Sequence, residues 1–412
     1  MKSCVVIGGG AVGLCSAYYL AKAGHKVVVL DSSDMSDGCS YGNSGMVVPS
    51  HIIPLAHPGV VSRGMKWMFS SKSPFYVKPR LSPALFSWGR AFYKNSNTAH
   101  VERSMPALRD LSAFSKELYQ ELAQESDSFL YEEKGLLLLF RTERAGEEER
   151  HAGLLAKAQG LEVDFLAKDA VSALETGIKT DCMGGVYYRG DAHLSPDLFM
   201  QFLKQELQNL GVSLHKNEQV LSFTSSGNKI SSVHTDKQQY SADEVVLCAG
   251  SWSPKLAKML GITLSILPGK GYSFTVSSGG QAPTVPSVLC EGKVAVTPMG
   301  SDVRFGGTME ITHTADHKIR ERRVQGIVET ANEFYPELAL AQPPSDSVWH
   351  GFRPCTPTGL PLISRASGLD NFIVASGHAM MGLSLAPATG KLVEELVGKK
   401  PPSVSLEQFG IR

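Results

Sequence analysis

Apolar residues in this chain fall into short runs typical of buried strands and longer stretches with helical spacing. Short apolar runs bounded by glycine or polar residues predict strands at residues 4–7, 26–30, 135–140, 184–188, 212–215, 219–223, 243–248 and 371–375. Apolar positions three and four residues apart predict helices at residues 104–124, 143–159, 196–210, 313–334 and 383–396. Residues 262–305 are strand-rich and punctuated by glycine. The pattern therefore predicts an α/β unit joined to a second unit with a mixed sheet.

The opening unit, residues 3–31, reads as strand, glycine turn, helix and second strand, closed by Asp31. Its turn has the G-x-G-x-x-G pattern at Gly8, Gly10 and Gly13. Gly8 permits a sharp turn, Gly10 leaves room for a pyrophosphate, and Gly13 lets the helix pack close to the strand. The free amides at the helix N-terminus attract the phosphates, and Asp31 is placed to bind ribose hydroxyls. The unit predicts a site for FAD or NAD rather than NADP; an ordinary buried βα unit is the alternative reading.

The composition is that of an ordinary globular chain and narrows the choice of partners. The 412 residues include 40 Lys and Arg against 40 Asp and Glu, so nucleic acid is not expected as a partner. Seven scattered cysteines without a C-x-x-C spacing predict no disulfide framework and favour a reducing compartment. No apolar run approaches the roughly 18 residues of a membrane-spanning helix. We expect a cytoplasmic protein without a cleaved signal, because the first apolar run belongs to the nucleotide unit.

Two other stretches combine residue types that are used for binding. Residues 65–93 interleave aromatic residues, methionine and Lys or Arg, which suits a face resting on a membrane surface or on an electron-acceptor partner. Packing of a second domain explains the same pattern and is favoured, since basic side chains can reach from such a face to solvent. His313 and His317 are four residues apart, but no third metal ligand accompanies them, so we predict no metal site.

Strand and helix patterns like those of the opening unit return twice later in the chain. Ser195 and Pro196 suit the cap and first position of a helix, and residues 243–248 run into Ala249 and Gly250. A further strand and helix follow near the C-terminus. We predict a discontinuous Rossmann-like domain (α/β), formed by residues 1–57, 190–262 and 346–412. We expect residues 58–189 and 263–345 to form the second domain, which has a mixed sheet (α+β).

Three stretches together carry a family resemblance: residues 6–13, residues 351–361, and Gly377-His378 followed by residues 385–390. They resemble the FAD-dependent D-amino acid oxidase superfamily, and most of all its D-amino acid dehydrogenases, which include the D-hydroxyproline dehydrogenases. Residues 40–45, 66–69 and 269–273 resemble the same group, so the likeness spans essentially the whole chain. The resemblance implies FAD as the cofactor and a substrate role for the mixed-sheet domain.

The resemblance, together with the glycine turn, assigns a set of residues to the cofactor. They are Gly8, Gly10, Ala11, Val12, Gly13, Asp31, Ser32, Ser40, Asn43, Ser44, Gly45, Met46, Val220, Ala249, Gly250, Trp252, Gly377, Met380, Met381, Gly382 and Leu383. Residues 40–45 would line the flavin side, and residues 377–382 would lie beside the flavin with a helix N-terminus aimed at its N1/C2 edge. That last role has a physical reason, since reduced flavin gathers negative charge at N1 and a helix N-terminus stabilises an anion.

Four residues are candidates for the catalytic site. Arg353 is expected to hold a substrate carboxylate through two parallel hydrogen bonds, with a structural ion pair as the alternative. Tyr272 resembles the family tyrosine that donates to the same carboxylate, or is a buried strand tyrosine. His51 would reach the substrate side chain or be structural, and His378 would lie beside the flavin.

Cysteine chemistry separates this chain from one branch of the family. Sarcosine-oxidase-like members tether flavin through a cysteine whose position corresponds to Gly351 in this sequence. Cys355 stands at a different position and reads as a small packing residue. We therefore predict non-covalent FAD.

The resemblance implies oxidation of an amino acid at Cα, with hydride transfer to flavin N5 and passage of electrons to a quinone or another carrier. D-stereochemistry, with D-proline or D-hydroxyproline as a substrate, is implied by the resemblance alone. Three alternatives stay open: a glycine- or sarcosine-type oxidase that uses O2, an FAD-binding subunit without its own chemistry, and an NAD-dependent dehydrogenase. Peripheral contact with the inner membrane through residues 65–93 also stays open.

Overall fold

A computed structural model describes residues 1–68, 70 and 72–411 of the chain. Phe69, which belongs to the resembling stretch 66–69, lies outside the described residues. The described strands, in chain order, are β1 (Ser3–Ile7), β2 (Lys26–Leu30), β3 (Met46–Val47), β4 (Phe75–Val77), β5 (Leu136–Phe140), β6 (Val163–Ala167), β7 (Gly184–Tyr188), β8 (Ala192–His193), β9 (Ser213–His215), β10 (Val220–Ser226), β11 (Lys229–Thr235), β12 (Gln239–Tyr240), β13 (Glu244–Leu247), β14 (Leu267–Ser277), β15 (Ser287–Leu289), β16 (Val294–Met299), β17 (Asp302–Ile311), β18 (Trp349–Cys355), β19 (Leu362–Arg365) and β20 (Phe372–Ser376).

The described α-helices connect these strands and cover the sheets. They are α1 (Ala11–Lys22), α2 (Val60–Trp67), α3 (Pro83–Asn95), α4 (Thr98–Glu125), α5 (Glu143–Ala158), α6 (Lys168–Leu174), α7 (Pro196–Asn209), α8 (Ser253–Lys258), α9 (Glu321–Phe334) and α10 (Ala386–Gly398). In the part of the chain that the structure describes, none of the helices is both long and apolar enough to cross a lipid bilayer.

A six-stranded sheet with the order β19-β20-β13-β1-β2-β9 forms the first layer. The pairs that join β1 to β2, β1 to β13, β13 to β20 and β2 to β9 are all parallel. Helix α1 packs against α10 so closely that a Cβ at Gly390 would meet the Cys15 backbone. Because carboxyl ends of parallel strands share one edge of a sheet, the turns after β1, β2 and β13 converge there.

A larger sheet, with the order β18-β14-β17-β16-β15-β5-β7-β6 and with β4 paired to β17, forms the second layer. One of its faces carries Tyr272, Phe274 and Phe305, which pack with Ile327 of α9 in a buried core. Side chains alternate between the two faces of a strand, so the neighbouring residues point the other way, toward the first sheet. The two sheets confirm the predicted combination of a Rossmann-like α/β unit and a mixed sheet.

The domain ranges themselves stay a prediction. Strand β18, which we assign by sequence to the range 346–412 of the nucleotide domain, is hydrogen-bonded to β14 in the mixed sheet. This strand therefore connects the two layers, and its residues are available to both.

The helix predicted at residues 313–334 is wrong over its first third. Helix α9 begins only at Glu321, and the segment before it lies against the mixed sheet. Buried Lys270 bonds Asp316 at 3.2 Å, and Arg320 bonds the same carboxylate at 3.2 Å. These charges anchor the segment, whose Asp316 amide donates to the His313 carbonyl in a turn at 3.0 Å. His313 and His317 therefore do not share a helix face, and His317 instead lies 3.1 Å from His350.

Candidate active site

A cavity of about 1880 Å³ lies between the two sheets. Its wall runs from the glycine turn after β1, past residues 249–252, to Arg353 on β18 and the turn before α10. Sites for small ligands typically have volumes of roughly 300–1,000 Å³, so this cavity has room for a dinucleotide and a further small molecule.

The glycine turn at one end of the cavity is shaped by steric limits. Gly8 has a φ of +114°, and a Cβ there would clash with the carbonyl group of Cys248, the residue that follows the neighbouring strand β13. A Cβ at Gly13 would overlap the Gly8 carbonyl oxygen, whereas at Gly10 it would lie 3.4 Å from Ser40 Oγ. Gly8 and Gly13 are thus required by the packing of this protein, while Gly10 keeps open space in front of the helix.

Asp31 and Ser40 organise the polar groups around the start of α1. The Gly9 amide donates to Asp31 Oδ2 at 2.6 Å, and the Ser33 amide donates to Asp31 Oδ1 at 2.7 Å. The Ala11 amide donates to Ser40 Oγ at 2.9 Å. Ser40 therefore lies at the helix N-terminus, where a phosphate would bind, as well as at the start of the loop predicted to line the flavin.

The loop at residues 40–45 is clamped onto the mixed sheet. Arg304 donates to the carbonyl oxygens of Tyr41 (2.7 Å) and Asn43 (3.0 Å), and its other nitrogen pairs with Asp197 at 2.7 Å. The Trp349 ring lies so near Gly42 and Gly351 that a Cβ on either glycine would overlap it. A flat aromatic ring and two glycines thus set the spacing between loop and sheet.

Helix α4 fixes the turn before α10 through hydrogen bonds to its carbonyl groups. Tyr119 donates to the Leu383 carbonyl at 2.7 Å, and Ser115 donates to the Ser384 carbonyl at 2.6 Å. The Val48 amide donates to Ser384 Oγ at 3.0 Å. With these carbonyl groups held by α4, the Met380–Leu383 segment forms part of the cavity wall at the helix N-terminus.

Arg353 projects from β18 into the cavity, across a strip of small residues. Its Nη1 donates to the Thr308 carbonyl at 2.6 Å, and a Cβ at Gly271 would overlap the guanidinium group. Among the residues that the structure describes, no carboxylate forms an ion pair with Arg353. Burial lowers the pKa of the guanidinium, but from so high a value that the group stays charged. The result is a fixed cation that faces the cavity and lacks a counter-ion.

Thr308, whose carbonyl accepts the hydrogen bond from Arg353, has an unusual backbone conformation. It has a φ of +62°, which is rare for a β-branched residue, and it lies where the register between β14 and β17 shifts. Such conformations cost roughly 1–3 kcal/mol and concentrate at binding sites. Here the irregularity presents the Thr308 carbonyl to Arg353 and fixes the direction of the guanidinium.

Tyr272 and Arg353 project from different faces of the mixed sheet. Tyr272 pairs with His350 and Arg353 with Gly269 in the β14–β18 register, so the two side chains project from opposite faces of the sheet. The Tyr272 hydroxyl donates to buried Glu310 at 2.6 Å. This bond is typical of the buried strand tyrosine given above as the alternative, and the role of Tyr272 toward the substrate carboxylate stays a prediction.

The two candidate histidines both lie on the cavity wall and are both uncharged. Burial lowers the pKa of His378 to about 3, and its Nε2 lies 2.9 Å from the Thr389 hydroxyl. Burial lowers the pKa of His51 to about 4. Ser50 holds His51 in place from the side, since it donates to buried Asp191 and lies 3.4 Å from His51 Nδ1.

The structure brings nearly all of the predicted cofactor residues onto one wall. Within the described chain, the exceptions are Gly13, Gly45 and Gly377, which lie behind it. Gly45 and Gly377 take φ values of +73° and +81°, and a Cβ at either would clash with the segment it packs on. These three glycines shape the site by permitting close backbone approach, and their roles toward the cofactor stay predictions with the rest of the set.

Several residues that line the cavity are not among those predicted from the sequence. Trp349, Thr308, Glu149 and Lys293 line the cavity but belong to no recognisable motif. A sequence signal existed only for Trp349, since Gly42 and Gly351 lie in glycine-rich segments and both accommodate its ring.

The residues present fit FAD. The N-terminus of α1 and the Asp31 carboxylate line one part of the cavity and suit a pyrophosphate and a ribose. Arg353 lines the same cavity. Gly271 and Gly351 lie directly under the Arg353 guanidinium and the Trp349 ring, and both of these side chains line the cavity.

Comparison with known proteins agrees with this geometry. The profile of the family described as FAD dependent oxidoreductase (DAO) matches residues 3–396. A D-amino acid dehydrogenase of Granulibacter bethesdensis is 30% identical over 415 residues, which cover 99% of this chain and 98% of the relative. A D-amino acid dehydrogenase of Vibrio vulnificus is 32% identical over 404 residues, 95% of each chain.

Solved structures share the fold. Glycine oxidase from Geobacillus kaustophilus has a TM-score of 0.78 at 24% identity, covering 100% of this chain and 98% of its own. L-Proline dehydrogenase from P. horikoshii has a TM-score of 0.78 at 18% identity, covering 99% and 96%. The profile match over nearly the whole chain, the full-length relatives and the fitted cavity lead to one conclusion: this chain belongs to the family of FAD-dependent oxidoreductases, and it is an FAD-dependent enzyme.

Proposed function

We propose that the protein is an FAD-dependent D-amino acid dehydrogenase that oxidises its substrate at Cα. Full-length relatives carry that name, and the fixed, unpaired guanidinium of Arg353 supports it most directly. A planar guanidinium can bind a carboxylate through two parallel hydrogen bonds, which fixes the position of Cα. Bound FAD would supply the acceptor for the hydride that leaves Cα.

The chain's own residues would bind and orient rather than transfer protons. His378 is neutral and bonded to Thr389, and Tyr272 is engaged with Glu310 on the far face of the sheet. The substrate amine must be neutral for its lone pair to assist the departure of the hydride, and none of these groups is placed to be the base. Gly351, at the position where other members have a tethering cysteine, has no thiol, which supports non-covalent FAD.

We propose a quinone as electron acceptor, reached through peripheral contact with a membrane. Met65, Phe86 and Tyr93 line the cavity and are 56%, 78% and 72% exposed, so the mouth of the cavity is apolar. Exposed Arg90 and Lys94 flank them on α3 and would suit an anionic lipid surface. The same helix also packs inward, since Trp88 is buried and donates to the Cys355 carbonyl at 2.8 Å.

The experiment is anaerobic reduction of the flavin in the purified enzyme. The panel is D-alanine, D-proline, cis-4-hydroxy-D-proline, glycine, sarcosine and the L-enantiomers. We expect bleaching by D-amino acids and weak or no bleaching by L-enantiomers. Failure of every D-amino acid to bleach the flavin would refute the proposed substrate class. Under air, rapid turnover with a soluble quinone and little peroxide is expected; stoichiometric peroxide would identify an oxidase instead.

A further inference from the structure

The cavity has a second polar region, formed by His51, Glu149 and Lys293, which we call the polar lobe. Lys293 Nζ pairs with Glu149 at 2.9 Å, and the Glu149 side chain is only 13% exposed. All three residues line the same cavity as Arg353. Both Glu149 and Lys293 act electrostatically on His51, so the three groups lie close together.

The register of the mixed sheet places this lobe near Arg353. Strand β16 pairs with β17 from Ala295 opposite Gly306. Lys293, just before β16, and Thr308, two residues after Gly306, therefore lie at the same end of this strand pair. The Thr308 carbonyl is the group that accepts from Arg353. Neighbouring strands are about 5 Å apart, so Lys293 lies roughly one strand beyond the group that anchors the guanidinium. A substrate held by its carboxylate on Arg353 thus has the polar lobe within the reach of an amino-acid side chain.

The chemistry of the lobe selects among side chains. Its charges cancel, because Glu149 pairs with Lys293 and burial keeps His51 neutral near pH 7. A charged side chain would lose its hydration there without gaining a counter-ion. A purely aliphatic one would displace water from the ion pair, in which Lys293 is 39% exposed and Glu149 13%, without replacing the lost hydrogen bonds. A hydroxyl or amide group can accept from Lys293 and donate to Glu149.

We propose that His51, Glu149 and Lys293 form the side-chain subsite of the enzyme and select substrates with an uncharged, hydrogen-bonding side chain. This inference rests on the proposed function and names its substrate class. It assigns to His51 the substrate-facing role, with Ser50 and Asp191 holding it in position.

The test compares isosteric substrates, using the kcat/KM for flavin reduction in the holoenzyme. The pairs are D-threonine against D-valine and cis-4-hydroxy-D-proline against D-proline, with D-asparagine against D-aspartate for charge. In the unmodified enzyme the polar, uncharged member should be preferred at least about tenfold, since a site built for a hydroxyl group rejects the analogue without one. In Lys293→Met and Glu149→Gln the preference should fall toward one.

Lys22→Met is the matched control, because Lys22 forms a comparable 2.9 Å ion pair with Glu125 away from the cavity. It should keep the selectivity of the unmodified enzyme. Equal rates for both members of each pair, or an unchanged ratio in both lobe variants, would overturn the inference while leaving the D-amino acid activity standing. If no D-amino acid reduced the flavin, the proposed function and this inference would both be wrong. The flavin spectrum of each variant checks that it is folded and loaded.

Discussion

At the scale of single residues, Arg353 and Tyr272 show how strand register separates two side chains that the sequence assigns to one site. Both belong to stretches that resemble one family, and both were expected to bind one carboxylate. The register of β14 against β18 separates them onto opposite faces of the sheet. Arg353 faces the cavity without a counter-ion, whereas Tyr272 is bonded to Glu310 in a buried cluster of charges.

Replacement of Arg353 by Met should abolish tight substrate binding. Loss of a buried charge partner costs about 2–5 kcal/mol, so the substrate Kd should rise by roughly 30-fold or more, with FAD still bound. Stopped-flow flavin reduction at varied substrate concentration measures this Kd. Arg109→Met, at an exposed ion pair with Asp110, is the control. An unchanged Kd in Arg353→Met would remove this residue from the site.

Replacement of Tyr272 by Phe should leave the substrate Kd within about threefold of the original value, because the hydroxyl already donates to buried Glu310. The variant should instead be less stable by about 1–2 kcal/mol, since Glu310 loses a buried hydrogen-bond donor. Urea unfolding measures the second effect. A loss of substrate affinity like that of Arg353→Met would show that the hydroxyl does reach the substrate.

At the scale of elements, the unit β1–α1–β2 and the helix pair α2–α3 both contribute to the wall of the cavity but differ in packing. The first is tightly packed around its glycines, with Gly8 and Gly13 touching backbone. The second carries exposed apolar residues around the cavity mouth. The β1–α1–β2 unit is therefore suited to hold a cofactor rigidly, and the helix pair is suited to meet a partner.

Substitutions of two glycines in the β1–α1–β2 unit should separate an effect on folding from an effect on cofactor binding. Gly13→Ala places a Cβ onto the Gly8 carbonyl, so it should destabilise the fold itself. Gly10→Ala meets only Ser40 Oγ at 3.4 Å, so the apoprotein should fold while FAD binds more weakly. Circular dichroism of the apoprotein and FAD titration distinguish the two effects. Equal FAD affinity in Gly10→Ala and the original protein would contradict the expected approach of the pyrophosphate.

The helix pair should carry any membrane contact. Phe86→Ser removes a side chain that is 78% exposed at the cavity mouth, and we expect it to reduce co-sedimentation with vesicles that contain anionic lipid. Leu154→Ser, at a side chain that is 57% exposed on α5, is the control. Equal sedimentation of both variants with the original protein would place the contact elsewhere, and no sedimentation of the original protein would refute membrane contact.

At the scale of the whole molecule, buried titratable groups link stability to pH. Burial lowers the pKa of His378 to about 3 and those of His51 and His193 to about 4. The unfolded chain therefore binds more protons at these sites between about pH 4 and 6.5, and their contribution to stability is lost as pH falls through that window. Burial raises the pKa of Asp191 to about 7, which acts in the opposite direction between about pH 4 and 7.

The three histidines lower the stability as the pH falls, whereas one carboxyl group, that of Asp191, raises it. The urea midpoint of the apoprotein should therefore be lower at pH 5 than at pH 7.5. The dependence should weaken in His378→Gln, since that variant lacks one of the groups that must be buried uncharged. A midpoint that is equal or higher at pH 5 would show that the groups opposing the histidines dominate.

Much of this molecule could be predicted from its sequence alone, because the decisive constraints are local. The G-x-G-x-x-G turn, the alternation of strand and helix, and Asp31 after the second strand require only neighbouring residues and steric limits. The predicted helices at residues 143–159 and 196–210 match α5 and α7 to within one residue at each end. Resemblance over the whole chain then identified FAD, and the family comparison confirms it.

What the sequence could not determine depends on pairing between distant segments. The charges of Lys270 and Asp316 keep residues before Glu321 out of the predicted helix, although their helical spacing is sound. The face on which Tyr272 lies follows from a register that no local pattern encodes. The polar lobe exists only because α5 lies beside the start of β16, which brings Glu149 to Lys293 across more than one hundred residues. Local sterics and periodicity thus determined the elements and the cofactor unit, whereas long-range strand register and buried charge pairing decided which side chains share the site.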